Sequence, residues 1–252
     1  KDIQMDTVNL YAAEFLPHFI ETLKVADTAG EYSHIIASLE AWNYDETIDS
    51  EQALVFNFML EEIKETLFED AMPEDVYKMM PGKYQIMDNL LRDAYAGSEG
   101  VWIQQAGGLQ TLVFGAFERT VEELTDLYGS NYEKWAWGDY HQLTFNHSLS
   151  SAHDVIAWYL NPKPRPVGGS RTTVQAAGNR ANGEVDHGAS WRFVVDISDL
   201  SSAEHIVGPG QSGHKKSAWY HNQVDDWAEG NYHTTSIVGE YEEVNELILK
   251  AQ

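Results

Sequence analysis

From Ile3 to about Leu160 apolar residues return at intervals of three and four, the spacing that keeps them on one face of an α-helix. In DTVNLYAAEFLPHFIETLKVA the stripe is Val8, Leu10, Tyr11, Phe15, Leu16, Phe19, Ile20 and Leu23. Pro17 lies inside it and predicts a kink or break, because proline lacks the N–H that the helical ladder needs. The stretch DSEQALVFNFMLEEIKETLFED carries Leu54, Val55, Phe58, Met59, Ile63 and Leu67, with Asp49 or Ser50 placed to cap its start. LVFGAFERTVEELTDLYGS repeats the pattern and stops at Gly129, a residue suited to a C-terminal cap. Glu is frequent at the polar positions, so residues 1–160 are expected to form a mainly helical region with a solvated acidic face.

The texture changes at NPKPRPVGGS, residues 161–170, where three prolines and two glycines stop any helix. The short β-branched stretches TTVQAA, SWRFVVDIS and EHIVGPG follow, separated by turn residues, and predict strands. WRFVVDI alternates only loosely, as a strand covered on both faces does. The final pattern, EYEEVNELILKAQ, predicts a short amphipathic helix. The expected class is α+β, with a helical region 1–160 and a strand-rich region 161–252.

Charge narrows the range of partners. The 252 residues hold 40 acidic and 16 basic side chains, a formal net charge of −24. Residues 1–160 hold 28 acids and 8 bases, and 161–252 hold 12 and 8, so the excess sits on the helical part. Such a surface repels the nucleic-acid backbone and anionic lipid, and neither is an expected partner. With 43% hydrophobic residues the chain has the apolar mass for a sizeable core. Cysteine is absent, which removes disulfides, a thiolate nucleophile and any Cys-based zinc site. No run reaches the roughly 18 to 20 apolar residues of a membrane helix, and no basic-then-apolar leader is present.

Several motifs invite chemistry. GPGQSGHKKS, residues 208–217, spaces Gly208 and Gly213 like a phosphate loop, but His214 stands where the lysine belongs and Pro209 removes a donor N–H. A turn is the better reading. His141, His147 and His153 are spaced by six, which does not bring ligands to one helix face; Asp139 with His141 and Asp186 with His187 are local pairs only. The aromatic cluster from Trp135 to Phe145 offers faces on which a sugar ring can stack, or an anchor for a loop. No G-x-S-x-G elbow surrounds Ser212, which is followed immediately by Gly213.

Taken in order, the segments form a more specific pattern. Trp135, Trp137 and Gly138 precede His141; GGSRTTVQAA, GASWRFVVDISD, GPGQSG and WYHNQVDDWAEGNY follow. This succession resembles the C-terminal part of penicillin-acylase-type amidohydrolases, through Thr173-Val174, Arg192, Val195-Asp196, Gly210 to Gly213, Gln223, Trp227, Gly230 and Tyr232. The start, DIQMDTVNLYAAEFLP, is similar to the stretch that opens the helical part of their catalytic chain.

The resemblance implies an N-terminal-nucleophile hydrolase, made as a precursor that cuts itself into two chains. In that family the first residue of the larger chain is a serine, whose hydroxyl attacks the amide and whose free α-amine is the base. Lys1 offers no hydroxyl, so the resemblance implies that residues 1–252 are the C-terminal portion of the larger (beta) chain, with the nucleophile upstream. No catalytic, cofactor-binding or metal-binding residue is carried over to this segment.

The 161–252 strands are then expected to complete an αββα sandwich with upstream strands. The implied partners are the upstream part of the same chain, the small alpha chain and an acyl amide: a penicillin, a cephalosporin side chain or an acyl-homoserine lactone. Also implied are a structural calcium in the complete enzyme and a periplasmic or extracellular location. The alternative is a non-catalytic carbohydrate- or protein-binding module that uses the Trp135–Phe145 cluster. The glycines of GPGQSGHKKS are expected to take positive φ or allow close approach, so that Gly213→Val impairs folding.

Overall fold

The computed structural model describes residues 1–69, 71–235, 248 and 250. Two units are distinguished: one comprises Asp2–Thr144 and Pro164–Gly188, the other Lys1, Phe145–Lys163 and the residues from Ala189 on. Together they contain helices and antiparallel and parallel strand pairs, the α+β class that the two textures of the sequence predict.

The larger unit is built on helices whose ends follow local chemistry. Asn9 caps α1 (Leu10–Ala26), its Oδ1 accepting from Ala12 N at 3.0 Å. α1 runs through Pro17 as one helix, so the predicted break does not occur. The residues it buries, among them Phe15, Leu16, Phe19 and Leu23, offset the one backbone bond that proline removes. After α2 (Ser33–Ala41), Ser50 rather than Asp49 caps α3 (Glu51–Lys64), accepting from Ala53 N at 3.0 Å. α3 continues into a π-helical turn, Glu65–Glu69.

Then come α4 (Glu74–Met79), α5 (Lys83–Tyr95), α6 (Val101–Gln105) and α7 (Leu109–Tyr128). α7 ends at Gly129, which has φ 86° and donates its N–H to Thr125 O at 2.8 Å. α3 packs on α7, and α7 on α1. Their shared core includes Phe56, Met59, Ile63, Leu112 and Phe117, each shielded from water. Burial of such a side chain contributes roughly 1.5–3 kcal/mol, which is why packing and not helix propensity sets this arrangement.

A short α8 (Trp137–Tyr140) leads to a small sheet. It contains β1 (Gln142–Leu143), β2 (Arg165–Pro166), β3 (Ala177–Asn179) and β4 (Glu184–Gly188), in the order β2-β1-β4-β3. β1 and β4 are parallel, and the other pairs antiparallel. Most of the predicted strand TTVQAA is a turn, with only Ala177 in β3. Thr173 is the reason: its Oγ1 accepts from Ser170 N at 2.9 Å and donates to Gln175 O at 2.8 Å, tying the backbone into a local loop in place of a ladder.

In the smaller unit α9 (Asp154–Leu160) precedes an antiparallel sheet of β5 (Trp191–Asp196), β6 (Asp199–Val207) and β7 (His233–Thr235), in that order. α10 (Val224–Glu229) contacts β6. Arg192 is the buried residue of β5, while Trp191 and Phe193 are 59% and 41% exposed. Among the described residues Trp191 leaves part of one face of this strand open, so the cover expected on both faces is not seen there. The predicted C-terminal helix in residues 240–252 lies outside the described residues, which there include only Ile248 and Lys250.

Candidate functional site

In the larger unit a cleft of about 320 Å³ opens beside α3, α5 and α7, reached also by the loop after Gly169. Its walls come from seven separate stretches of chain, and side-chain hydrogen bonds tie several of them together. On α1 and α5, Tyr11 Oη donates to Asp88 Oδ1 at 2.6 Å. Burial raises the Asp88 carboxyl, opposed by that hydrogen bond. Across α3 and α5, Tyr84 Oη donates to Glu61 Oε1, and Lys64 Nζ pairs with Glu61 Oε2. Burial pulls the Lys64 ammonium down, but the Glu61 carboxylate more than offsets this and holds Lys64 above the usual lysine range. The Arg171 guanidinium lies over the Tyr84 ring, 4.5 Å from its centroid.

The remaining wall is acidic. Glu62 is held by Arg119 at 2.5 Å, whereas Glu65 and Glu123 join no ion pair among the described residues. Burial raises both carboxyls and Glu62 adds like-charge repulsion to each, while the Lys64 ammonium opposes the rise at Glu65. Phe58 and Tyr140 contribute an edge-to-face aromatic pair, centroids 4.7 Å apart. The cleft therefore joins aromatic faces to an excess of carboxylate.

A buried polar layer lies close by. Glu46 is fully buried and its Oε1 accepts from Asn9 Nδ2 at 2.7 Å and from Asn57 Nδ2 at 2.8 Å, Asn57 being also a cleft residue. Burial raises the Glu46 pKa, opposed by hydrogen bonding from Ser170, Asn9 and Asn57. Trp137 Nε1 donates to Gly169 O at 2.9 Å. These contacts hold the Gly168–Ser170 loop to the helices, where Gly169 N also donates to Glu46 O at 2.8 Å.

The residues singled out in the sequence do not converge on a reaction centre. Trp135 and Trp137 are 2% and 1% exposed, with Trp135 Nε1 bonded to Gly129 O at 2.8 Å. The two buried indole rings anchor their loop in the core and offer no open platform for a sugar, whereas Tyr140 of the same cluster is half-buried and lines the cleft. His141 is fully buried. His147 Nδ1 accepts from Leu149 N, and His153 Nδ1 from Val155 N, both at 3.1 Å, so each serves its own turn.

Asp186 pairs with His187 at 2.6 Å and also with Arg180. Among the described residues no three acidic or histidine side chains are placed to hold one metal ion, so these residues do not fit a calcium cage. GPGQSGHKKS is a turn: Ser212 N donates to Trp219 O at 3.0 Å, Ser212 Oγ accepts from His214 N at 3.1 Å, and Lys215 Nζ sits 5.3 Å from the Tyr220 centroid. Arg192 lies 4.0 Å from the Trp227 centroid and donates to Trp227 O at 2.7 Å, joining two of the ordered motifs inside the smaller unit. The cleft itself was missed by sequence reasoning, because Tyr11, Glu61, Tyr84 and Arg171 share no local pattern.

Comparison with known proteins gives the ordered motifs a context. The family model described as Penicillin amidase matches residues 1–240. The chain is 32% identical over 116 residues to the penicillin acylase 2 proenzyme of Pseudomonas sp. (strain SE83), a match to 45% of this chain and 15% of that protein. It is 26% identical over 113 residues to the acyl-homoserine lactone acylase QuiP of Pseudomonas syringae pv. syringae (strain B728a), covering 44% of this chain and 14% of that one. A thermostable penicillin G acylase from Alcaligenes faecalis shares the fold, with a TM-score of 0.55 and 14% identity. That superposition covers 98% of this chain and 48% of the neighbour, so the chain spans about half of that structure and matches a small part of the longer relatives.

Proposed function

This chain belongs to the penicillin amidase family, and on that premise we propose that it is the C-terminal portion of the larger chain of an amidohydrolase whose nucleophile lies upstream. The observation that carries the reading is the family match over residues 1–240 in a chain that aligns with only 14–15% of its relatives' lengths. In this reading the reacting groups are an N-terminal serine and its own α-amine. The amine, with a pKa near 8, takes the hydroxyl proton as the oxygen attacks the amide carbonyl, then passes it to the leaving amine. Water hydrolyses the resulting ester and releases the acid.

The present segment contributes framework. Its helices flank the catalytic sandwich, and β5 to β7 supply part of a sheet that upstream strands complete. The exposed aromatic side chain of Trp191 supports this role, since an open apolar sheet face is ordinarily buried by a neighbour. The substrate class is an acyl amide such as a penicillin, a cephalosporin side chain or an acyl-homoserine lactone. Self-cleavage of a precursor, pairing with a small alpha chain, and export to the periplasm or beyond belong to the same proposal.

The test is to express the complete reading frame and residues 1–252 alone, and to assay both with penicillin G and an N-acyl-homoserine lactone. Turnover is expected only from the complete, processed protein. Turnover by residues 1–252 alone overturns the upstream nucleophile, and a processed protein inert towards every acyl amide tried overturns the amidohydrolase reading.

A further inference from the structure

We propose that the loop closed by Asn146 and Asn161, which carries α9, is a docking arm on which the chain encoded before Lys1 packs. The inference rests on the reading above, that such a chain exists. Hydrogen bonds close the neck of the arm: His147 N donates to Asn161 Oδ1 at 2.9 Å, and Asn161 Nδ2 donates to Asn146 Oδ1 at 2.7 Å. Tyr220 Oη donates to Leu160 O at 2.9 Å, which anchors the end of α9 to the stretch that GPGQSG opens. The arm is thus held in place at its base.

Its apolar side chains are left uncovered. α9 carries Val155, Ile156, Trp158, Tyr159 and Leu160 and buries none of them. Trp158 is 82% exposed, and Leu149, Val155 and Tyr159 are exposed with it. A helix of seven residues does not hold in water by its own propensity and needs tertiary packing on an apolar face. The hydrogen-bonded base fixes the ends of the arm but leaves that face open. A permanent cover, and not a partner that comes and goes, meets this need.

Composition and chain path identify the cover. Between Asp154 and Lys163 no residue is charged, in a chain whose formal net charge is −24. Aromatic residues without charge mark the centre of a buried interface, not a solvated face. Lys1 belongs to the same unit as α9 and is held there by its ion pair with Glu204 and by the Tyr232 ring, 5.5 Å from its ammonium to the centroid. A chain that enters through Lys1 is therefore tethered to this unit, and a tethered segment meets the arm at high effective concentration. The penicillin G acylase that shares the fold has about half of its chain outside the matched 48%, enough to form such a cover.

The test uses the complete protein with photo-reactive p-benzoylphenylalanine in place of Trp158 and, in a second variant, of Leu149. After irradiation the joined peptides are read by mass spectrometry. A bond from either position to a peptide encoded before Lys1 supports the arm. Bonds only to a second copy, only to residues 1–252 of the same copy, or none at all overturn it. Trp158→Asp gives a separate readout: because this side chain touches little within residues 1–252, its cover alone sets the cost. The melting temperature of the complete protein is expected to fall by roughly 5 °C or more, and an unchanged value overturns the cover. Neither measurement uses turnover. An inert protein that still forms the upstream bond refutes the amidohydrolase reading and leaves the arm standing, and an active one without that bond does the reverse.

Discussion

Trp137 lies flat against His141, their ring centroids 4.3 Å apart and their planes 15° from parallel. On the same imidazole Nδ1 is 2.7 Å from Val167 O and Nε2 is 2.9 Å from Ala177 O. One buried side chain thus ties the end of α8 to both sides of the Ser170–Ala176 turn. A neutral ring donates to one of the two carbonyls and turns a lone pair towards the other. The imidazolium that satisfies both is disfavoured by burial.

Burial lowers His141 to about 4, against the opposing pull of the two carbonyls. The folded value lies below that of the unfolded chain, so the unfolded state binds a proton first as the pH falls. The stability contributed by neutral His141 is therefore present above about 6.5 and is lost between about 6.5 and about 4. Thermal unfolding of the complete protein across this range, beside His141→Phe, checks it: the variant should lack this part of the acid sensitivity and be less stable by about 1–3 kcal/mol at neutral pH. A ring that NMR finds protonated at pH 7 contradicts the expectation.

Glu46 gives the opposite sign. Its folded pKa is raised by burial, so its contribution is present below the unfolded value and is lost as the pH rises through the folded one. Glu46→Gln keeps an oxygen for Asn9 and Asn57 and removes the titration. It is expected to flatten the stability profile above about pH 4.5. Glu46→Ala removes the acceptor of the buried Asn9 amide and should cost about 1–3 kcal/mol, while Asn57 keeps its bond to Ala53 O at 2.9 Å. Chemical denaturation of both variants at several pH values measures the difference; equal losses would falsify the assigned role of the carboxyl oxygen.

In GPGQSGHKKS the close approach expected of the glycines holds at Gly208, where a Cβ would run into the Phe145 ring, and at Gly210, but not at Gly213. A Cβ on Gly210 would stand 2.5 Å from Trp219 O, whereas at Gly213 nothing lies within 4 Å and the backbone is outside the left-handed region. None of Gly208, Gly210 and Gly213 has positive φ. Gly210→Ala should therefore lower the melting temperature of the complete protein, and Gly213→Val, the change expected from sequence to impair folding, should shift stability by less than about 1 kcal/mol. Differential scanning calorimetry of the two variants decides between the positions.

The Lys215 ammonium lies over the Tyr220 ring, and such a cation–π contact contributes about 0.5–2 kcal/mol. Lys215→Ala is expected to leave amide hydrolysis by the complete protein within a few-fold of the parent. A large loss of kcat with folding intact would restore an anion-binding role to the loop.

The local elements were legible because their causes are local. The three-and-four spacing of Phe15, Phe19 and Leu23, the Ser50 cap and the Gly129 stop act within a few residues, and the helices follow them. Negative charge concentrated in residues 1–160 and the ordered motifs from Trp135 to Tyr232 are likewise properties of the chain as written. They determined the α+β class and the family.

Tertiary structure decided what depends on distance between remote residues. The core's burial of Phe15, Phe19 and Leu23 carried α1 through Pro17, and hydrogen bonds from Ser170 and Thr173 turned a β-branched stretch into a loop. Packing buried the Trp135 and Trp137 rings in the core, and it gathered Tyr11, Glu61, Tyr84 and Arg171 around one cleft. Periodicity encodes which face of an element is buried, but not which other face it meets; that choice is made by the fit of side chains across the core.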